Sequence, residues 1–176
     1  SKLGLFLEKD NLISPETILS YGIRLDRVNK NATRAGNDPG SSSMLQVTAN
    51  SLYTAHYTGT VTASKKDHNN LSGFIRLKKD YNSMSNAYIS LSRNERSPDA
   101  TELFNAKTSM AMGGKYRLRH IGNPNLNSEV HTTLELGFEN MFMGSHVNGS
   151  IYVNDISDYI TTYRASDGAY DNTVND

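Results

Sequence analysis

Arg93–Gly137 reads RNERSPDATELFNAKTSMAMGGKYRLRHIGNPNLNSEVHTTLELG. On either side of it the chain alternates short strand-like runs with turns. Here it leaves that rhythm for its longest connection, then returns through Asn123-Pro124 to a new alternating run at Val130. Ser97-Pro98-Asp99-Ala100-Thr101-Glu102 carries a helix-start signature. Ser97 suits the cap, Pro98 the first helical position, and Asp99 the positive end of the dipole. One or two helical turns are expected, ending near Phe104. Ala106–Gly122 reads as loop, loosest at Gly113-Gly114.

Working outward, the flanking runs show period-two patterning, which is the mark of strands. Leu3, Leu5 and Leu7 share one face of a first strand (about 2–9). Leu19, Tyr21, Ile23 and Leu25 share one face of a second (about 17–28), and its other face carries Arg24 and Asp26. Tyr57, Val61 and Ala63 alternate with threonines in an expected third strand (about 53–64), followed by a turn at 65–70. Ile75 and Leu77 mark a fourth strand (about 72–79). Ala87, Ile89 and Leu91 mark a fifth. In the sixth, Thr132, Leu134, Leu136 and Phe138 oppose His131, Thr133, Glu135, Gly137 and Glu139. Val147, Ile151 and Val153 mark a seventh. Two long loops are expected, at about 29–50 and 94–128, within a single domain over 1–176.

Composition narrows the class. Only 36% of the 176 residues are hydrophobic, below the near-half of a compact globule, which suits a sheet with one wet face or a piece of something larger. Lysine and arginine balance aspartate and glutamate, 18 against 18, so the basic footprint of a nucleic-acid binder is missing. There is no cysteine, which excludes disulfides and thiolate metal sites. No apolar run is long enough for a transmembrane helix, but barrel strands need only about 10 residues with every second one apolar. An all-β antiparallel meander of this kind fits two architectures. One is a soluble secreted β-sandwich that binds carbohydrate or protein through its loops. The other is part of a transmembrane β-barrel, with apolar side chains to lipid and the polar face to a wet lumen. Connections that alternate short and long, apart from the one after the third strand, favour the barrel.

At Arg96-Ser97-Pro98-Asp99-Ala100-Thr101-Glu102-Leu103 the sequence resembles the R-x-P-D-x-x-E-L signature of TonB-dependent outer-membrane receptors. Gly122-Asn123-Pro124-Asn125-Leu126, with Glu129 and Thr132–Gly137, is similar to their GNP-x-L-x-P-E turn and the strand after it. Ser128 stands where that family usually has proline. Ser72–Arg76 and Ser157–Ile160 fit the same frame, and the resemblance is closest to the copper-receptor branch. It implies a portion of a 22-stranded barrel in the bacterial outer membrane, without its plug domain, that takes a metal or metal chelate into the periplasm, copper being the expected cargo. It also implies partners: the TonB complex through the plug, outer-membrane lipid and lipopolysaccharide, and the metal or chelate ligand. No resident cofactor, nucleic-acid partner or enzymatic activity is implied.

The chemistry-bearing residues are few. Met110-x-Met112 in the long loop, with His120, offers two thioethers and an imidazole, donors suited to copper. Met141-x-Met143 with His146, at the last turn, is the alternative metal set. Flexible apolar contacts on loops are the plainer reading of both, and the metal reading draws its support mainly from the resemblance to copper receptors. If the two sets lie at opposite barrel ends they cannot form one site, and the long-loop set is then favoured for capture. Arg117, Arg119 and His120 form a small basic cluster that suits an anionic chelate or a lipopolysaccharide phosphate, or is simply solvated. His131 and Glu135 are expected to hydrogen-bond on the polar face, and His56 and His68 are given no role. Glu95, Asp99 and Glu102 fit helix capping and pairing with Arg93 or Arg96 better than catalysis. No serine sits in a nucleophile-elbow context.

Overall fold

The structure, a computed structural model, describes residues 1–35, 37, 48–57, 65–111, 116–164 and 169–175. In chain order its elements are β1 (Lys2–Ser14), β2 (Thr17–Asn31), α1 (Ala49–His56), β3 (Lys65–Asn82), β4 (Ser85–Arg96), α2 (Ala100–Phe104), β5 (Ala106–Ala111), β6 (Tyr116–Ile121), β7 (Glu129–Phe142), β8 (Ser145–Ser157), β9 (Ile160–Arg164) and β10 (Ala169–Asn175). The long strands form one antiparallel sheet in the order β1-β2-β3-β4-β7-β8. Neither helix is long and apolar enough to cross a membrane, a fact that leaves strands untouched.

The register builds an apolar band across this sheet. Tyr21 faces Ile75, Ile75 faces Leu91, Leu91 faces Leu134, and Leu134 faces Val153. A second row runs Leu19, Leu77, Ile89, Leu136, Ile151. Nothing among the described residues covers the band: Leu136 is 47% exposed and Val153 73%. A sandwich would bury that face against a second sheet, so the sandwich alternative does not hold. The other face is polar and partly buried. Arg24 Nε donates to Asp26 at 2.6 Å, and Tyr88 Oη donates to Glu135 at 2.9 Å. Asn86 donates to Glu139 at 2.9 Å, and Arg76 lies over the Tyr88 ring. This inverts a soluble core, as expected of a barrel wall with lipid outside and water within.

Two expectations about this sheet fail. Tyr53–Tyr57 is not part of a third strand. Ala49–His56 is helical, Thr48 caps it by accepting from the Ser51 N–H, and Tyr53 is fully buried; residues 58–64 lie outside the described residues. Thr48, three residues before Ser51, is the cap signal for this helix. Lys65–Asn70 is not a turn but the start of β3, pairing Asn31↔Lys65 through Asp26↔Asn70. Its residues are polar on both faces, the buried one being held by hydrogen bonds of His68 and Asn70 with the long connections, so period-two hydrophobicity cannot reveal it. With both corrections the connections alternate without exception: Pro15-Glu16, then 32–64, then Ser83-Met84, then 97–128, then Met143-Gly144. Met143 (φ 49°) and Gly144 (φ 77°) both take positive φ, as a two-residue hairpin with the right-handed strand twist requires.

The apolar core gathers at the long-connection end. Ala35, Tyr53 and Ile121 form one buried cluster, and Leu103, Leu126 and Ile160 another. Over them lies a smaller sheet, β5-β6-β10-β9, in which β10 runs parallel to β6. The expected loop at 106–122 therefore contains two paired strands. Tyr53 Oη donates to the Phe104 carbonyl at 2.8 Å, and Tyr57 Oη to the Gly122 carbonyl at 3.2 Å. Gly122 itself sits where a Cβ would meet Glu102 O at 2.7 Å and Asn105 N at 2.8 Å, so only glycine allows this approach of two backbones. The long connections thus fold together as a packed cap.

Candidate functional site

The cap is fastened to the barrel wall by the opening stretch. Pro98 is fully buried, and α2 begins two residues later than expected: Asp99, not Ser97, is the N-cap. Its carboxylate accepts from the Thr101 and Glu102 N–H groups, both at 2.7 Å, and Glu102 Oε2 accepts the Asp99 N–H at 2.6 Å. This reciprocal capping box satisfies the donors that a helix start leaves open. Ser97 serves elsewhere. Its hydroxyl accepts from Asn70 Nδ2 at 2.8 Å, and Ser128 Oγ donates to Asn70 Oδ1 at 2.8 Å. The serine in place of the expected proline thus ties the start of β7 to β3 and the end of β4.

Arg96 stands between two carboxylates. Its Nη1 donates to both Glu102 oxygens at 3.1 Å. Its Nε and Nη2 donate to Glu129 Oε1 at 3.3 Å and Oε2 at 3.2 Å. Glu129 is only 4% exposed and also accepts the Ile160 N–H at 2.9 Å. His131 Nε2 lies 2.7 Å from Glu129 Oε1, while its Nδ1 faces Asn154 Nδ2 at 3.2 Å. An Nε2–H tautomer satisfies both contacts. The expected His131–Glu135 pair is therefore not formed, because Glu129 lies nearer and Glu135 is engaged by Tyr88. Burial pushes the Glu129 carboxyl up, but Arg96, the Ile160 N–H and His131 outweigh it and bring it down to about 2. The expected Arg93 pairing is present too, to Glu95 at 2.5 Å. These residues hold and position; among the described residues no three His, Asp or Glu side chains gather in a way that could hold a metal.

Residues 1–175 match the family described as TonB dependent receptor-like, beta-barrel. The chain belongs to this family. Its members are outer-membrane transport receptors, not enzymes, and they carry no cofactor. The two halves of the family-like signature are the parts that meet at Arg96, Glu102 and Glu129, which gives that signature a physical cause. No curated protein matches the sequence. Among solved structures the fold is similar to copper transporter OprC, with 22% identity, a TM-score of 0.65, 98% of this chain covered and 23% of that one. It is also similar to the siderophore receptor PirA from Pseudomonas aeruginosa, at 16% identity, TM-score 0.59, and coverages of 97% and 27%. A third is a double mutant of the Serratia marcescens hemophore receptor HasR in complex with its hemophore HasA and heme, at 16% identity, TM-score 0.60, and coverages of 97% and 28%. The chain spans about a quarter of the length of these receptors.

Short turns of a TonB-dependent barrel face the periplasm and long connections the outside, which gives the candidate metal residues two addresses. Met110 lies in β5 opposite Arg117, and His120 lies in β6 opposite Lys107, three register steps away, roughly 10 Å along the strand. Met112 lies outside the described residues. Met141 and Met143 are at the opposite end: Met141 pairs with His146, and Met143 sits in the turn, 89% exposed. One joint site is therefore impossible. His68, given no role, reaches from β3 to the Leu126 carbonyl at 3.1 Å and helps seat the re-entry turn. Sequence reasoning also overlooked Met84. It sits in the β3–β4 turn, and its carbonyl accepts the Met141 N–H at 2.8 Å. Aligning the short turns with one another would have found it.

Proposed function

We propose that this chain forms barrel wall and outer cap of a TonB-dependent receptor that carries a metal ion or metal chelate across the outer membrane into the periplasm, with copper as the cargo. The observation that carries the transport reading is the family match over nearly the whole chain. In support of a metal cargo, the names of the similar receptors include a copper transporter, a siderophore receptor and a hemophore receptor. Copper is favoured by donor chemistry: the sequence of the long connection supplies thioethers at Met110 and Met112 and an imidazole at His120, donor types that suit Cu(I) and Cu(II) better than a hard ion. The partners of this reading are the TonB complex, acting through a plug domain, and outer-membrane lipid and lipopolysaccharide around the apolar band.

The test uses cells expressing the full-length protein under copper limitation, with and without a working TonB complex. Copper accumulation that needs TonB and falls in Met110→Ala/Met112→Ala is expected. Accumulation indifferent to TonB overturns the transport reading. Unchanged accumulation in the double variant, with unchanged calorimetry for Cu(I) and Cu(II), removes those methionines from the cargo site.

A further inference from the structure

The wet face at the short-turn end holds donors that a barrel wall does not require. Met141 lies directly opposite His146 in the β7–β8 ladder. Ser85 pairs with Asn140, and the Met141 N–H bonds to the Met84 carbonyl, so Met84 lies beside Met141 on the other flank. Residues directly opposite in a ladder share a face. Met141 is two and six residues on from Glu139 and Glu135, which places it on the polar side of β7. Met84, Met141 and His146 therefore form one lateral row on the lumen side, with strand-to-strand steps of about 4.8 Å. All three line a single cavity of about 550 Å³. Lipid contact does not account for them, because the apolar band is on the opposite face, and neither does core packing: Met84 is 56% exposed and Met141 48%.

We propose that this row is a binding site for a soft monovalent cation of the Cu(I) class. Two thioethers and one imidazole make a donor set that such an ion prefers over hard divalent cations. The flexible methionine side chains, from the middle and one flank of the row, can converge with the imidazole from the other. The same cavity is lined by Glu16, Asp80 and Glu139 against Lys78. Three carboxylates against one ammonium draw cations to it. The Lys78–Asp80 pair at 3.1 Å leaves the other two carboxylates as the surplus. The site lies most of a strand length from Met110 and His120, on the periplasmic side, so it is a release-side station and not the capture site. It rests on the uptake reading for its purpose, and on the register, the Met141–Met84 backbone bond and the shared cavity for its existence.

The test titrates the full-length protein in detergent with Cu(I) against bathocuproine disulfonate, and with Ag(I) as a redox-inert probe. Met84→Leu/Met141→Leu keeps the volume, and retained heat-modifiable migration confirms that the variant folds. The expected result is the loss of one Cu(I) and one Ag(I) equivalent in the double variant, weaker binding in His146→Gln, and a sulfur-and-nitrogen shell by X-ray absorption in the parent alone. Folded variants that bind both ions as the parent does overturn the site, even if cells accumulate copper. Loss of the equivalent in a protein that supports no copper uptake upholds the site while the cargo assignment fails.

Discussion

Glu129→Gln should loosen the cap without unfolding the barrel wall. The Glu129 carboxyl, about 2 in place of 4.5 and with a side chain 5% exposed, corresponds to about 3 kcal/mol of preference for the ionised form. Removing one member of a buried pair costs about 3–5 kcal/mol. Because Arg96 keeps Glu102, the lower end applies, so both routes give about 3 kcal/mol. Glutamine adds a donor where Arg96, the Ile160 N–H and His131 all present donors, so at least one contact turns repulsive. Hydrogen–deuterium exchange of the full-length protein reads the effect. Amides of Ala100–Asn105 and Ile160 should exchange roughly 100-fold faster, since about 1.4 kcal/mol is a factor of ten, while β7 and β8 within the apolar band stay protected. The pH dependence has a definite sign. The folded value is depressed, so the stabilisation is present above pH about 4.5 and is lost as pH falls from there towards 2. Corrected for intrinsic rates, the parent's cap should open across that window and the variant's should not. Exchange within threefold of the parent, or an identical pH response in both, would refute the clamp.

Other substitutions test other parts of the structure. Leu136→Arg places a charge in the apolar band and should cost about 2–4 kcal/mol, seen as less heat-modifiable folded protein in outer membranes. Tyr152→Arg, on the wet face opposite Glu135, should fold normally, and equal losses would contradict the assignment of faces. Gly122→Ala brings a Cβ against the backbone at Glu102 and Asn105, at a cost of about 1–3 kcal/mol. Faster proteolysis within the cap is the readout, and unchanged proteolysis would contradict the close approach.

The clamp explains why one stretch was so informative. Arg96, Asp99, Glu102 and Glu129 are charged residues in a chain whose strands are otherwise recognised by apolar alternation, and each has a fixed partner. The hairpins with an apolar face are legible because one apolar and one polar face impose period two. Where both faces carry polar side chains, as at Lys65–Asn70, only pairing with Asp26–Asn31 defines the strand. The α1 helix was misread because its burial comes from Ala35 and Ile121, far away in sequence.

The sequence by itself determined that strands alternate between a lipid-type face and a wet face, that connections alternate in length, that a capped turn follows Arg96, and that the family signature is present. Local periodicity, turn residues and caps carry all of these. The tertiary structure alone decided that the long connections pack into one cap, that Glu129 rather than Glu135 holds His131, and that Met84 joins Met141 and His146. Each depends on register between strands or contact between distant segments, and neither is encoded in the spacing of residues along the chain.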